Sequence, residues 1–326
     1  MKHGGNVWEG DPGKWLDFSA NLRPEGPPEW VRDTLTRSLE DVRYYPDRSM
    51  RTARTGLARY LGLPEAQVLP TAGGTAAIDL ILSSGTGRVL IPQTTFSEYA
   101  ARASVYGREV VLSQEEPQQG DLLILCNPNN PNGALHIAES VLSLHRRAKA
   151  AGAALLVDEA FIDFAPEETV RHHVCPGLTV VGSMTKILCI PGIRLGYIAG
   201  DSETISRLAE RMIPWPLSAP ATAVAAALPE HLKEIRADRL VNERRRFDFA
   251  RQLQALGALP FPSAANFLLV RFPRDMQDIV ARLKKQGILV RTCTSFGLDG
   301  HYLRLAVRLD NENARLVSIL KEELQR

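Results

Sequence analysis

No apolar stretch of the sequence reaches the about 18 residues that a membrane-spanning helix requires, and the alanine-rich segment at 219–228 is short and interrupted by proline. The first residues lack a basic patch followed by an apolar run, so no secretory leader is expected and the cytoplasm is the expected compartment. Cysteine is scarce. The four present, Cys126, Cys175, Cys189 and Cys293, lack paired metal-ligand spacing and are too few for a disulfide scaffold, which predicts reduced thiols. His172, His173 and Cys175 share one short segment beside a Pro-Gly turn, too small a set for a metal site, and no metal is expected. Excess charge is missing too: 39 Lys+Arg against 37 Asp+Glu leave a formal +2, which argues against nucleic acid as the partner. The local run Arg244, Arg245, Arg246 reads as a solvated helix face. No Gly-x-Gly-x-x-Gly follows a strand-like run, which removes a nicotinamide oxidoreductase.

What is present has the composition of a folded globular protein, 44% hydrophobic and 23% charged, over 326 residues, about twice a common domain. To about residue 60 the chain is rich in Gly, Pro and charge and reads as an extended arm followed by short helices. Short apolar runs then recur at 88–91, 121–126, 153–157, 178–181 and 196–199 without strict alternation, the pattern of strands buried on both faces. Helical stretches lie between them; 140–151, for example, places Val141, Leu144 and Ala148 along one side. This alternation predicts an α/β protein with a mostly parallel sheet wrapped by helices. The last third predicts a small α+β domain. Strands are expected at 266–272, 288–292 and 302–307, a helix at 275–286 capped by Gly287, and a final helix carrying Leu316, Leu320 and Leu324. The expected division is an N-terminal arm with part of the small domain over 1–40, a large domain over 41–215 and a small domain over 216–326.

Ligands of open parallel sheets bind outside the carboxyl ends of the strands, so the polar residues that follow each apolar run are the candidate site. Asn127 to Gly133 follows 121–126, Asp158 and Glu159 follow 153–157, Gly182 to Lys186 follows 178–181, and Phe96 lies shortly after 88–91. One lysine, one acid, a phosphate cradle and a flat ring together describe a pyridoxal 5′-phosphate site. That cofactor needs a lysine for its Schiff base and an acid to keep its ring nitrogen protonated. The segment 71–75, Thr-Ala-Gly-Gly-Thr, opens a helix whose first amides at Gly74, Thr75 and Ala76 suit the phosphate, with Ser183 and Arg194 as further donors.

The motifs 158–161 (Asp-Glu-Ala-Phe), 183–186 (Ser-Met-Thr-Lys) and 191–197 (Pro-Gly-Ile-Arg-Leu-Gly-Tyr) closely resemble the cofactor signature of fold type I aminotransferases. The histidinol-phosphate aminotransferase branch is the most similar, since 127–133 resembles its Pro-Asn-Asn-Pro-Thr-Gly. Lys186 stands 28 residues after Asp158 and eight before Arg194, as the signature requires. A narrower likeness, carried by 3–6 (His-Gly-Gly-Asn), 16–21 (Leu-Asp-Phe-Ser-Ala-Asn), 158–164, 214–215 and 297–308, is to the threonine-phosphate decarboxylase branch of cobalamin biosynthesis.

That resemblance implies a fold type I transferase that decarboxylates L-threonine O-3-phosphate to (R)-1-aminopropan-2-yl phosphate; the alternative it leaves is a histidinol-phosphate or related aminotransferase. It implies that Lys186 forms the Schiff base and later donates a proton, that Asp158 pairs with the ring nitrogen, that Asn130 bonds the ring hydroxyl and that Phe96 stacks on the ring. Gly74, Thr75, Ser183 and Arg194 would hold the cofactor phosphate, and Tyr45 would reach it from the other subunit of a homodimer. Arg304 would clamp the substrate carboxylate, with His3, Asn6, Asn21, Arg291 and Arg308 as further substrate holders. Arginine forks suit phosphate and carboxylate alike, so sequence does not divide those duties. Two departures stand out. Phe161 replaces the tyrosine usual in aminotransferases, a change shared with the decarboxylase branch, and Asn132 replaces the usual threonine, where a turn role is expected.

Overall fold

The computed structural model describes residues 3–325. Its centre is a seven-stranded sheet built from β1 (Val68–Thr71), β2 (Val89–Ile91), β3 (Val110–Leu112), β4 (Leu122–Cys126), β5 (Ala154–Asp158), β6 (Leu178–Ser183) and β7 (Gly196–Ala199), in the order β1-β7-β6-β5-β4-β2-β3. Neighbours from β6 to β3 run parallel, whereas β7 is antiparallel to both β6 and β1. Every residue of β2 and β4 is buried, and β5 is buried from Leu155 onward, as unbroken apolar runs between two helical layers demand. Two strands of this sheet escaped the sequence reading. β1 contains Pro70, which argues against a strand but is tolerated on a sheet edge, and β3 is a half-exposed three-residue edge.

A second sheet, antiparallel throughout, comprises β8 (Leu259–Pro260), β9 (Phe267–Arg271), β10 (Arg291–Thr292) and β11 (Tyr302–Ala306) in the order β10-β11-β9-β8. Its apolar face joins the helices Leu232–Gln254, Gln277–Lys285 and Asp310–Gln325 in a separate core around Phe249, Leu268, Phe272, Leu283, Leu305 and Leu320. The N-terminal segment enters this core through Phe18, and its short strand Leu16–Asp17 pairs in parallel with Ile288–Leu289.

The division between the two cores differs from the expected boundaries at 40 and 215. Trp30 and Val31 of helix Glu29–Ser38, and Ala221, Val224 and Ala225 of helix Ala219–Ala227, are buried in the larger core. The cause is a close helix pair: a Cβ on Gly56, in helix Arg51–Leu61, would stand 2.2 Å from the Ala225 carbonyl oxygen, so glycine allows the alanine-rich helix to seat against the large domain. The arginine run also differs from a free solvated face. Arg244 bonds Asp310 and Asp248, Arg245 bonds Glu25, and Arg246 donates to the Ala265 carbonyl.

Glycine at 196 ties the sheet to the candidate site, because a Cβ there would lie 2.6–2.8 Å from backbone atoms of Gly73, Gly74 and Gly182. Gly196→Ala is expected to lower the unfolding free energy by about 1–3 kcal/mol, the usual cost of forcing a carbon into packed space, in urea titrations followed by circular dichroism. A change below about 0.5 kcal/mol would mean that the backbone gives way there without strain.

Candidate active site

The carboxyl ends of β2, β4, β5 and β6 open onto one cavity of about 220 Å³, closed on its other side by the small domain. Its floor is Asp158, the last residue of β5, held in register between Cys126 and Val181. The Asp158 carboxylate is buried and accepts hydrogen bonds from the Tyr99 hydroxyl at 2.6 Å and the Ala160 amide at 3.0 Å. Burial pushes its pKa up, opposed by those two hydrogen bonds and by the charge of Lys186. Among the described residues no cation pairs with it directly. A protonated ring nitrogen would supply the missing partner, so the carboxylate suits a pyridinium.

Lys186 follows β6 by three residues and lines the same cavity, with its Nζ 5.9 Å from the centroid of Phe161. Its pKa is drawn down to about 8, first by burial and then by the positive charges of Arg304 and Arg194. An ammonium so destabilised yields a neutral, nucleophilic amine near physiological pH.

At one end of the cavity the helix Gly74–Leu82 starts without a side-chain cap, so its leading amides are free for an anion. Gly73 has φ +86°, and a Cβ there would stand 2.6 Å from Arg194 Nη2; glycine is therefore what lets the guanidinium lie against the turn. Arg194 itself has φ 63°, an unfavourable conformation for a side-chain-bearing residue, and its Nη1 donates to the Pro191 carbonyl at 3.0 Å. Ser183 and Thr185 share a 2.8 Å hydroxyl contact beside the same helix start. Free amides, a guanidinium and two hydroxyls form a donor set that could hold a phosphate.

At the opposite end, β11 carries Arg304 inward, directly across from Arg291 on β10. Arg304 is buried, donates from Nη1 to Asn130 Oδ1 at 2.7 Å and from Nη2 to the Ser19 carbonyl at 2.8 Å, and leaves its Nε without a partner. Burial draws its pKa down to about 10. Because the Asn130 oxygen is occupied by Arg304, the amide group left to meet a ligand is its NH2, a donor suited to a ring oxygen. Arg291 is buried as well and donates to Ser295 Oγ at 2.6 Å. Asn21 is buried with its Oδ1 unpartnered.

Twelve of the residues singled out from sequence thus line one cavity: His3, Asn21, Gly74, Thr75, Phe96, Asn130, Asp158, Ser183, Lys186, Arg194, Arg291 and Arg304. Three do not. Asn6 is exposed outside it. Arg308 is consumed by a two-pronged ion pair with Glu312 at 3.0 and 3.1 Å and by the Asp17 carbonyl at 3.0 Å. Tyr45 is 83% exposed and packs on Trp215 at 5.0 Å. Sequence reasoning missed Tyr99, although it lies one helical turn after Phe96, whose ring it meets edge-on at 5.5 Å. It also missed Thr185 and Phe296, both in the cavity wall. Asn132 has the expected turn role, accepting from Asn129 and from the Ala134 amide.

Residues 13–320 match the family model described as aminotransferase class I and II. The chain belongs to that family. Threonine-phosphate decarboxylase of Salmonella typhimurium is 33% identical, over 99% of this chain and 96% of the relative. Histidinol-phosphate aminotransferase of Mycobacterium bovis is 32% identical, over 90% and 84% respectively. The crystal structure of L-threonine-O-3-phosphate decarboxylase from Porphyromonas gingivalis superimposes with a TM-score of 0.86 at 27% identity, covering 95% of this chain and 99% of that one. Pyridoxal 5′-phosphate is the family's cofactor, and the unpaired carboxylate, softened lysine and uncapped helix start described above fit it.

With Lys186 proposed as the cofactor's lysine, its lowered pKa is expected to set the pH dependence of cofactor uptake by the cofactor-free protein. Below about 8 the amine is protonated and unreactive; above it the neutral amine is available. The uptake rate is expected to rise through pH 7–8 and level off above about pH 9, whereas a lysine titrating near its ordinary value of about 10.4 would keep rising beyond pH 10. Stopped-flow absorbance reads this, with Lys186→Ala as the control that takes up no borohydride-reducible cofactor.

Proposed function

We propose that the protein decarboxylates L-threonine O-3-phosphate to (R)-1-aminopropan-2-yl phosphate and CO2, as a step of cobalamin biosynthesis. The observation that carries this reading is the charge of the cavity, where Lys186, Arg194, Arg291 and Arg304 face a single buried carboxylate, Asp158. Such a surplus calls for several anionic groups at once. The phosphate of the cofactor accounts for one, and a substrate bearing both carboxylate and phosphate accounts for the rest. The resemblance of the His3–Asn6 segment and the replacement by Phe161 of the usual tyrosine point the same way.

When bound, the cofactor supplies an electron-withdrawing ring that accepts the electron pair of a bond broken at the substrate Cα. The protein selects which bond breaks by orientation, since the one perpendicular to the ring is weakened most. Arg304 is held rigidly by Asn130 and Ser19 and presents its remaining face between Phe267 and Phe296, while Arg291 lies beside it. Two fixed forks can hold carboxylate and phosphate in one pose, which loose side chains cannot. As CO2 leaves, a proton must take its place at Cα, and Lys186 Nζ is the donor in this reading.

The likeness to histidinol-phosphate aminotransferases is nearly as strong, which makes transamination the competing reading. A homodimer belongs to the proposal as well. Leu39, Val42, Tyr44, Tyr45, Ile213 and Trp215 are exposed apolar residues, Tyr45 packs on Trp215, and Tyr45 does not line its own cavity.

Purified holoenzyme is expected to release CO2 from L-threonine O-3-phosphate without stoichiometric consumption of a keto acid, measured by trapping labelled carbonate. Formation of glutamate from 2-oxoglutarate with histidinol phosphate, and no CO2, would replace this reading with the aminotransferase.

A further inference from the structure

We propose that Glu98 is a positioning residue that holds His3 across the mouth of the cavity as part of the site for the substrate's phosphate; this rests on the reading that the substrate is phosphorylated. His3 Nε2 lies 2.9 Å from Glu98 Oε1, and the His3 ring is 6.4 Å from that of Phe96. Glu98 opens the helix Glu98–Val105 of the large domain. With one ring nitrogen committed to this carboxylate, Nδ1 is the polar atom left for a ligand, and among the described residues nothing bonds it.

The chain that brings His3 there is anchored on the other domain. A Cβ on Gly4 would stand 2.0 Å from the Ser19 carbonyl oxygen, so only glycine fits. Gly5 has φ +82° and donates its amide to Ser19 Oγ at 2.8 Å, while that hydroxyl donates to Asp17 Oδ1 at 2.6 Å. The Ser19 carbonyl also accepts from Arg304, and Phe18 is bonded through its backbone to Leu289 and Ala306. The His-Gly-Gly sequence is therefore a short strap. Its two glycines are seated on the small domain beside Arg304, and its histidine crosses to the large domain beside Phe96. A ligand held by Arg304 and Arg291 at one side meets His3 at the other. The Glu98 side chain is only 18% exposed, whereas His3 is 48% exposed, as befits a buried support behind a group that a ligand covers.

The test compares unaltered holoenzyme with Glu98→Gln, His3→Ala and the double variant. Calorimetric binding of L-threonine O-3-phosphate and of L-threonine is measured alongside CO2 release from both. Glu98→Gln is expected to weaken binding of the phosphorylated amino acid about tenfold, as loss of a charge-assisted contact does, and to raise its KM similarly while kcat changes less than twofold. Binding of L-threonine should stay within twofold. The double variant should bind no worse than His3→Ala alone, because Glu98 acts through His3. In the cofactor-free protein, Glu98→Gln should also quicken proteolytic cleavage within the first ten residues about fivefold. Unchanged binding of the phosphorylated ligand, equal loss for both ligands, or additive losses in the double variant would overturn the assignment. Absence of CO2 release, with the binding differences intact, would overturn the decarboxylase reading and leave this one standing.

Discussion

The crowding of positive charge around one buried carboxylate is the constraint on which the rest of the site depends. Burial and the charges of Arg304 and Arg194 draw the Lys186 pKa down, and burial with the charge of Arg291 does the same to Arg304. Left to themselves the buried arginines, Arg291 and Arg304, oppose folding, since each forfeits hydration and, among the described residues, is ion-paired to no carboxylate. The fold holds them because both walls of the cavity are rigid. Arg304 sits on a strand in an antiparallel sheet with its own core, and Lys186 follows a strand buried in the centre of the large sheet. The site is a place where anions repay a cost already built into the protein.

The same reasoning accounts for the polar residues behind the cavity. Tyr99 and the Ala160 amide keep the Asp158 carboxylate hydrogen-bonded despite its burial, so its charge is directed at one point. Asn130 has its orientation set by Arg304, which converts an ambiguous amide into a defined donor. Gly73, Gly182 and Gly196 stand where a methyl group would collide with a guanidinium, an aromatic ring or the backbone, and this is what packs the phosphate turn closely against the sheet.

Much of this was legible in the residues. Buried parallel strands advertise themselves as unbroken apolar runs, and the residue after such a run must lie at the sheet's carboxyl edge, so Asp158, Lys186 and Asn130 could be assigned to one site from order alone. Less legible were elements whose signal is weak or inverted: the edge strand bearing Pro70, and the alanine-rich helix at 219–227, whose small residues hide which core it joins. Arg308 shows the limit for charged groups. The resemblance implied that it holds substrate beside Arg304, yet Glu312, four residues onward, captures it.

Sequence by itself determined the chemistry available and its order along the chain, because residue type and strand periodicity are local properties. Only the tertiary structure decided which arginines remain free for ligands, that the two glycines after His3 seat on Ser19, and that Tyr99 stands beneath Asp158. The seating of the glycines and of Tyr99 joins segments separated in the chain, and the fate of each arginine depends on which groups the folded backbone brings within hydrogen-bonding reach.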